Sequence, residues 1–200
     1  MICRRARLSR PSISHRVGAP ARFVSQVTER VFLDISFGDE PAGRLDIELF
    51  GKDAPNAAAN FAQLCASGRY AGSNVYRVVS PFNFAGGDIA GGGDGCVKTQ
   101  ACVSALGANG GPFAPDGYAI EHSVGALVSY ARGLNGDIDS RFVVTLADDA
   151  RWADGRYEAF GRVTEPSRAL LARIEQVKVK PPSNKPVVPV RITGSGVYKE

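Results

Sequence analysis

The most informative stretch of the chain is Val75-Tyr76-Arg77-Val78-Val79-Ser80-Pro81-Phe82. Its β-branched and aromatic residues predict a strand over residues 75–79. Because proline cannot donate a main-chain hydrogen bond, Ser80-Pro81 is expected to end that strand. Residues 82–84 are predicted to form the next one. The stretch therefore predicts two short strands joined by a break, with one arginine among apolar neighbours.

The chain before this stretch predicts a hairpin. Residues 31–37 largely alternate between apolar and polar side chains, and residues 44–50 alternate strictly, with Leu45, Ile47 and Leu49 on one face. Residues 38–43 contain the glycines, proline and acidic residues of a turn. We therefore expect two antiparallel strands with one face in the core.

A helix is predicted between the hairpin and residue 75. Asp53 stands where an N-cap would, and Pro55 falls in the first helical turn. Apolar side chains then recur at helical spacing as far as residue 66, and Gly68 is expected to end the helix.

The chain after residue 85 predicts a long loop and then more strands. Residues 86–117 are rich in glycine and show little periodicity. Residues 91–98 lack the spacing, the hydroxyl residue after lysine and the following helix of a phosphate-binding loop, which argues against nucleotide binding. Strands are predicted at residues 125–131, 141–146, 157–163 and 188–193, and a second helix is predicted after a cap at Thr164.

These elements predict the fold class. About eight strands with two well-separated helices indicate a mainly β fold, a closed eight-stranded antiparallel barrel with two α-helices. The chain has 200 residues, and 44 % of them are hydrophobic, enough for the core of one domain. No apolar run is long enough for a membrane span.

The cysteines and histidines argue against a metal centre. The four cysteines, Cys3, Cys65, Cys96 and Cys102, show no CxxC spacing, and there are only two histidines. A zinc site needs about four clustered ligands, so we predict no metal and no cofactor. Free thiols in a reducing compartment are favoured, and a pair between Cys96 and Cys102 stays open.

Positive charge is concentrated at the N-terminus. Residues 1–30 carry seven arginines and one acid, Glu29, so they sum to +6, whereas the whole chain sums to +4. The remaining residues therefore sum to −2. An arginine-rich, serine-containing segment almost without acids is typical of a mitochondrial presequence. The alternatives are a basic tail and an arm that contacts RNA phosphates or an acidic partner. We predict a basic arm over residues 1–30 and a domain over residues 31–200.

The order of these motifs resembles that of the cyclophilins from about Val31 to Val197. The order is a hairpin, a helix, Tyr-Arg-Val-Val, a phenylalanine, Gly-Gly-Asp, a long loop, two strands, Trp-x-Asp-Gly, Phe-Gly-x-Val, a helix and a final strand. Shorter matches are Pro55-x-x-Ala58-x-Asn60-Phe61 in the first helix and Phe160-Gly-Arg-Val163 before the second. In this order and spacing the motifs are similar to those of a cyclophilin over five-sixths of the chain.

The resemblance implies an activity and a set of site residues. Cyclophilins isomerise peptidyl-prolyl bonds, whose barrier of about 18–20 kcal/mol comes from amide resonance. An apolar pocket holds the proline ring while a fixed donor disfavours that resonance. Arg77 falls at the catalytic arginine, a residue type that stays charged and presents several donors. Substrate-binding positions correspond to Phe82, Ala131, Val143, Trp152 and Tyr157. Other interpretations are core packing for Phe82 and Trp152 and a surface salt bridge for Arg77.

Several residues depart from the pattern of the family around that site. Ala85 replaces a glutamine that binds substrate and orients the arginine. Val143 replaces a phenylalanine and Ala153 a leucine, and each change removes apolar surface. Arg141 replaces a glutamine and is expected to repel Arg77 or to compete with it. Further departures are Tyr76 for histidine, Asn83 for methionine, Tyr130 and Arg132 for methionine and asparagine, and Tyr157 for histidine.

These departures predict a cyclophilin-like domain with weak or lost isomerase activity. It would serve as an accessory subunit of a large mitochondrial assembly, on the matrix side. Its partners would be a proline-containing peptide or protein segment, other subunits of that complex and, through the arm, RNA. The alternatives are an active mitochondrial isomerase that assists protein folding and a module that binds peptides without turnover.

Overall fold

The computed structural model describes residues 25–90, 103–130 and 136–199. Within them a closed antiparallel barrel has the strand order β1-β10-β3-β4-β6-β5-β7-β2, and β8 and β9 form a separate two-stranded sheet. The strands are β1 (Glu29–Phe37), β2 (Glu40–Leu49), β3 (Asn74–Val79), β4 (Asn83–Gly86), β5 (Leu127–Tyr130), β6 (Phe142–Thr145), β7 (Glu158–Val163), β8 (Val179–Lys180), β9 (Lys185–Pro186) and β10 (Val190–Val197). The helices are α1 (Pro55–Ala66) and α2 (Arg168–Glu175). The predicted mainly β fold, with eight barrel strands and two helices, is confirmed.

The first hairpin builds one wall of the core. Leu45 lies opposite Leu33, and Ile47 lies opposite Val31, and all four side chains are at most 1 % exposed. The turn is shorter than predicted, because Phe37 already pairs with Glu40. Gly38 makes this tight turn possible, since its φ of 62° is one that side chains disfavour.

Helix α1 packs its apolar face into the barrel. The ring of Phe61 lies 5.1 Å from that of Tyr70, 5.4 Å from that of Phe142 and 5.1 Å from that of Phe160, measured between centroids. Aromatic pairs at these distances stabilise a core beyond the area they bury. The helical spacing of α1 was therefore a reliable signal of burial.

The N-terminus of α1 is not capped as the sequence predicts. The N-cap residue is Ala54, which has no capping side chain, and Asp53 makes no capping hydrogen bond. Instead Asp116, in the loop before β5, accepts hydrogen bonds from the main-chain N–H groups of Asn56 at 2.8 Å and Ala57 at 3.0 Å. A carboxylate there satisfies free N–H groups and complements the helix dipole.

A buried polar network crosses the barrel interior. Asn60 of α1 donates to the hydroxyl of Tyr130 at 2.6 Å, and Tyr70 donates to the carbonyl of Ser140 at 2.9 Å. Tyr130 also stacks on Phe160 with a centroid distance of 4.4 Å. Tyr130 is fully buried, so its departure from the family pattern is a core substitution and not a change in the site.

The second helix begins later than predicted. Thr164 precedes a 3-10 turn, Glu165–Ser167, and Ser167 is the N-cap residue of α2, without a side-chain cap. The Ser167 hydroxyl instead accepts from the N–H of Asp46 at 2.9 Å and so ties this segment to β2. The proline-rich residues 181–189 lead into a last strand as predicted, and that strand begins at Val190.

Cys65 is a buried free thiol, and burial raises its pKa. The other three cysteines, and with them the possible pair between Cys96 and Cys102, lie outside the described residues. Neither described helix is long and apolar enough to cross a membrane.

The loop before β5 is anchored at Asp116 and Gly117 from two sides. Asp116 binds α1, and Glu158 of β7 accepts from the N–H groups of Asp116 at 2.7 Å and Gly117 at 3.0 Å. Burial, reinforced by the Asp116 carboxylate and opposed by these hydrogen bonds, raises the pKa of Glu158 from 4.5 to about 7. Its second carboxylate oxygen is buried without a partner. Glu158 and Asp116 thus join β7, the loop and α1.

We expect Asp116→Ala to lower the free energy of unfolding by about 1–2 kcal/mol, since it removes the cap of α1. Urea denaturation measures the change. Asp53→Ala is the matched control, because Asp53 is exposed and makes no cap. Its effect should stay within about 0.5 kcal/mol. Equal losses in the two variants would contradict the assignment of the cap.

We expect Glu158→Gln to be more stable than the wild type at pH 8, and no more stable at pH 4. A raised folded-state pKa contributes stability that is present below the unfolded value of 4.5 and is lost as pH rises through about 7. The amide keeps one acceptor oxygen but has no charge to bury. The difference between the two unfolding free energies should grow by roughly 2–3 kcal/mol from pH 4 to pH 8. A difference independent of pH would contradict this account.

Candidate functional site

A row of side chains crosses the outer surface of five adjacent strands. Arg77 of β3 pairs with Ala85 of β4, which pairs with Val143 of β6. Val143 pairs with Ser129 of β5, and Ser129 with Ala159 of β7. The residues that follow or precede them in these strands, such as Phe84 and Phe142, belong to the core. Because side chains alternate along a strand, this row faces away from the main core. Arg77 is exposed at one end of the row, whereas Ser129 is fully buried and Ala159 belongs to a second buried cluster with Phe50, Ile120 and Leu127.

An irregularity in β3 adds Tyr76 to this outer face. Val75 pairs with Gly86 and Arg77 with Ala85, so two steps along β3 match one step along β4. Tyr76 is the extra residue of a β-bulge. Val75 and Val78 are both buried in the core, whereas Tyr76 is half-buried and Arg77 is exposed. The bulge thus presents Tyr76 and Arg77 together.

The end of β4 requires glycine. Gly87 has a φ of +79°, and a Cβ atom there would lie 2.6 Å from the ring of Phe142. The Gly-Gly-Asp motif therefore has a structural reason: the main chain passes too close to an aromatic ring for any side chain. Asp88, the third residue, is buried.

Arg77 is an exposed cation without a fixed partner among the described residues. Neither a salt bridge nor a side-chain hydrogen bond joins it to another residue of the described ranges. The alternative interpretation of Arg77, as one partner of a surface salt bridge, is therefore wrong for the described residues. The methyl group of Ala85, opposite Arg77, offers it no hydrogen bond. The guanidinium is thus available to a ligand but is not oriented by the neighbouring strand.

Three aromatic residues form a wall next to this row. Phe82 and Trp152 lie edge to face with their ring centroids 6.4 Å apart, and Trp152 and Tyr157 lie edge to face at 5.9 Å. Phe82 is 48 % exposed and Trp152 is 38 % exposed, so the core-packing interpretation is wrong for both. Large exposed apolar surfaces that lie together mark binding sites.

The remaining predicted pocket residues differ in their placement. Val143 is only 6 % exposed. It lies in the row between Ala85 and Ser129, and these three residues form the floor of the candidate site. Ala153 is buried in the turn that carries Trp152. Ala131 and Arg132 lie outside the described residues. The structure thus places Arg77 and Val143 in one row of paired strands and groups Phe82, Trp152 and Tyr157 in one aromatic cluster, and Asn83 is half-buried in β4.

Arg141 is not a free competitor of Arg77. Its Nη2 atom donates to Asp139 Oδ2 at 2.6 Å, and its Nε atom lies 3.0 Å from the same oxygen. The Asp139 side chain is 2 % exposed, so little solvent screens the pair. The expected repulsion of Arg77 is therefore largely cancelled by Asp139, and the expectation from the sequence is wrong in this respect.

A buried chain of hydrogen bonds that adjoins Ser129 was not indicated by any local pattern in the sequence. Nδ1 of His122 lies 2.9 Å from Asp154 Oδ1, and Nε2 lies 2.8 Å from the hydroxyl of Ser129. Because a carboxylate only accepts hydrogen bonds, the contact with Asp154 favours the tautomer with its proton on Nδ1. Asp154 also accepts from the main-chain N–H of His122. Ser129 is fully buried, so its hydroxyl cannot attack a substrate. The chain of hydrogen bonds therefore has a structural role next to the floor.

Tyr76, named from the sequence only as a departure from the family pattern around the site, lies next to Arg77 in β3. Burial raises its pKa to about 12, and the nearby Arg141 opposes this effect, whereas Asp139, Asp88 and Tyr157 add to it. Its hydroxyl therefore stays protonated near neutral pH. The bulge that exposes Tyr76 depends on the pairing of β3 with β4, which local sequence patterns do not reveal.

A groove of about 1170 Å³ on another face of the barrel is separate from this row. Its walls include Glu48, whose carboxylate pairs with Arg30 at 3.1 Å and with Arg162 at 3.0 Å. These charges are already matched, and the groove contains no predicted site residue. We therefore place the candidate site at the Arg77 row in spite of the size of the groove.

The row and the aromatic wall allow one kind of chemistry. The wall offers apolar surface for a small ring, and Arg77 offers donors to a polar group beside it. No group of three or more potential metal ligands occurs in the described ranges. The arrangement can bind an amide next to an apolar ring and polarise it electrostatically.

Similar proteins identify the family of the chain. Residues 32–197 match the family model of the cyclophilin type peptidyl-prolyl cis-trans isomerases. The chain is similar to peptidyl-prolyl cis-trans isomerase H of Rhizopus delemar, with 35 % identity over 83 % of this chain and 92 % of that protein.

Two further relatives carry related names. Peptidyl-prolyl cis-trans isomerase B of Saccharomyces cerevisiae is 29 % identical over 86 % of this chain and 81 % of its own length. The rhodopsin-specific isozyme of Calliphora vicina is 33 % identical over 85 % of this chain and 70 % of its own length. With the family match, the barrel and the placement of the site motifs, these similarities show that the chain belongs to the cyclophilin family.

Proposed function

We propose that this cyclophilin domain binds proline-containing peptide or protein segments and isomerises them only weakly, as an accessory subunit of a mitochondrial assembly on the matrix side. The observation that carries the weak activity is the pair of Arg77 and Ala85. The cation of the site is exposed, but the residue opposite it offers no group to hold it in one orientation.

The chemistry follows from the two halves of the site. The aromatic wall of Phe82, Trp152 and Tyr157 holds the proline ring. A donor of Arg77 then hydrogen-bonds near the prolyl nitrogen and draws its lone pair away from the carbonyl. This lowers the double-bond character that sets the barrier of about 18–20 kcal/mol. Neither a covalent intermediate nor a cofactor enters the step.

Weak catalysis follows from incomplete preorganisation. An electrostatic site is effective when its donors are already fixed where charge changes, and loss of one such donor costs about a hundredfold or more in rate. At Arg77 the orienting side chain is absent. The small side chain of Val143 also leaves less apolar surface against the proline ring than a larger residue would.

An active mitochondrial isomerase that assists folding is the second candidate. The pairing of Arg141 with Asp139 favours it, because that ion pair removes the competing charge. The relatives at 29–35 % identity are named as peptidyl-prolyl cis-trans isomerases. The two candidates differ in the rate that Arg77 supports, which is measurable.

The mitochondrial location rests on the arm. Residues 1–30 have the arginine-rich, acid-poor composition of a matrix-targeting segment. The body sums to −2, so the basic character of the chain belongs to the arm. If the arm is retained, six or seven arginines suit contact with RNA phosphates or with an acidic subunit of the assembly.

We expect turnover of a short Ala-Ala-Pro-Phe peptide to be slow, and Arg77→Ala to reduce it to the uncatalysed rate. NMR exchange spectroscopy measures both without a coupled protease. Arg69→Ala is the matched control, since Arg69 is also exposed but follows α1, away from the site. Fast turnover by the wild type would favour the active isomerase. Turnover that survives in Arg77→Ala would contradict the role of Arg77.

We expect the full-length chain to fractionate with mitochondria and to migrate on a native gel well above the position of a monomer. A chain without residues 1–28 should stay in the cytosol. Added to mitochondrial extract, that truncated chain should lose its association at lower salt than the full-length chain if the arm contacts RNA. Recovery of the full-length chain as a cytosolic monomer would rule out the assembly.

A further inference from the structure

Tyr76 is the polar side chain closest in sequence to Arg77, and the bulge in β3 places both on the outer face of the barrel. In a regular strand two consecutive residues face opposite sides. Here the core positions are Val75 and Val78, three residues apart, and the two residues between them both lie outside the core. Tyr76 therefore belongs to the surface on which Arg77 acts.

The surroundings of Tyr76 are polar. Arg141, Asp139, Asp88 and Tyr157 all act electrostatically on its hydroxyl. These residues lie just after β4, just before β7 and in the segment before β6. Because Tyr157 belongs to the aromatic wall, the hydroxyl of Tyr76 lies near one end of that wall.

The hydroxyl of Tyr76 has no hydrogen-bond partner among the described residues. Tyrosines that are largely removed from water usually find a partner for the O–H group. Asp139 does not accept a hydrogen bond from the Tyr76 hydroxyl, because its carboxylate already accepts from Arg141 at 2.6 Å and 3.0 Å. A half-buried donor is thus left open on the face where the proposed substrate lies.

A bound proline segment offers the matching acceptor. Proline has no N–H, so its neighbourhood in a peptide presents carbonyl oxygens in excess of donors. Across this part of the row, Ala85 and Val143 supply no side-chain hydrogen bond. Arg77 is engaged near the prolyl nitrogen, which leaves a peptide carbonyl beside it without a donor unless Tyr76 provides one.

We propose that Tyr76 is a substrate-binding residue whose hydroxyl donates a hydrogen bond to a main-chain carbonyl next to the bound proline. The inference rests on the proposed function, since it requires a proline segment over the Arg77 row. It assigns Tyr76 to ground-state binding and leaves the chemical step to Arg77. Loss of the hydroxyl should therefore weaken affinity with little effect on kcat.

The test compares Tyr76→Phe with Tyr198→Phe. Tyr198 lies after β10, near β1 and β2, and its hydroxyl is bound by Asp46, away from the row. The dissociation constant of the Ala-Ala-Pro-Phe peptide is measured by NMR titration, which works whether or not turnover is detectable. Tyr76→Phe should raise this constant about 3–10-fold, the loss of one hydrogen bond. Tyr198→Phe should leave it unchanged.

A second variant tests whether another hydrogen-bond donor in the row can replace the Tyr76 hydroxyl. Ala85→Gln in the Tyr76→Phe background places an amide in the same row, directly opposite Arg77. It should recover part of the affinity that the hydroxyl supplied. Urea denaturation of each variant shows whether its fold is intact.

Each outcome bears on one of the two claims. Wild-type binding with unchanged affinity in Tyr76→Phe overturns this inference and leaves the proposed function standing. Absence of peptide binding by the wild type overturns the proposed function, and the inference falls with it. A Tyr76→Phe protein that is less stable but binds as tightly as the wild type shows a packing role and also overturns the inference.

Discussion

The pairing of β3, β4 and β6 is the constraint on which the site depends. It divides their side chains between a core that α1 fills and an outer row that carries Arg77, Ala85 and Val143. At the end of β4, Gly87 lets the main chain pass close to the ring of Phe142 in β6. A shift of one residue would exchange the two faces and move the row into the core.

The bulge in β3 is the one local exception to that alternation. It gives two consecutive residues, Tyr76 and Arg77, access to the same surface, which a regular strand cannot do. The aromatic side chains come from other segments, since Trp152, in the turn after β6, contacts Phe82 between β3 and β4 and Tyr157 before β7. The site is thus made of strand side chains on one side and loop aromatics on the other.

Three carboxylates hold the segments around the site in place. Asp139 holds Arg141, Asp154 binds His122, which contacts Ser129, and Glu158 anchors the loop that caps α1. Each carboxylate accepts from at least one donor, but the second oxygen of Glu158 is buried without a partner. Arg77 differs from all of them, since it is exposed and has no fixed partner in the described ranges. Arg77 is therefore available to bind a ligand, because no carboxylate of the described ranges is paired with it.

Local patterns in the sequence determined the barrel, its two helices, the family and the aromatic residues of the site. Those features follow from periodicity and from motif spacing, which are local properties of the sequence and do not depend on contacts between distant residues. Only the tertiary structure decided that Asp116, 60 residues from Asn56, caps α1 in place of Asp53. It also decided that Arg141 is neutralised, that Tyr130 is a core residue and that Tyr76 faces the site. The physical reason is that caps, ion pairs and bulges form between strands and loops distant in sequence, where no local pattern records the partner.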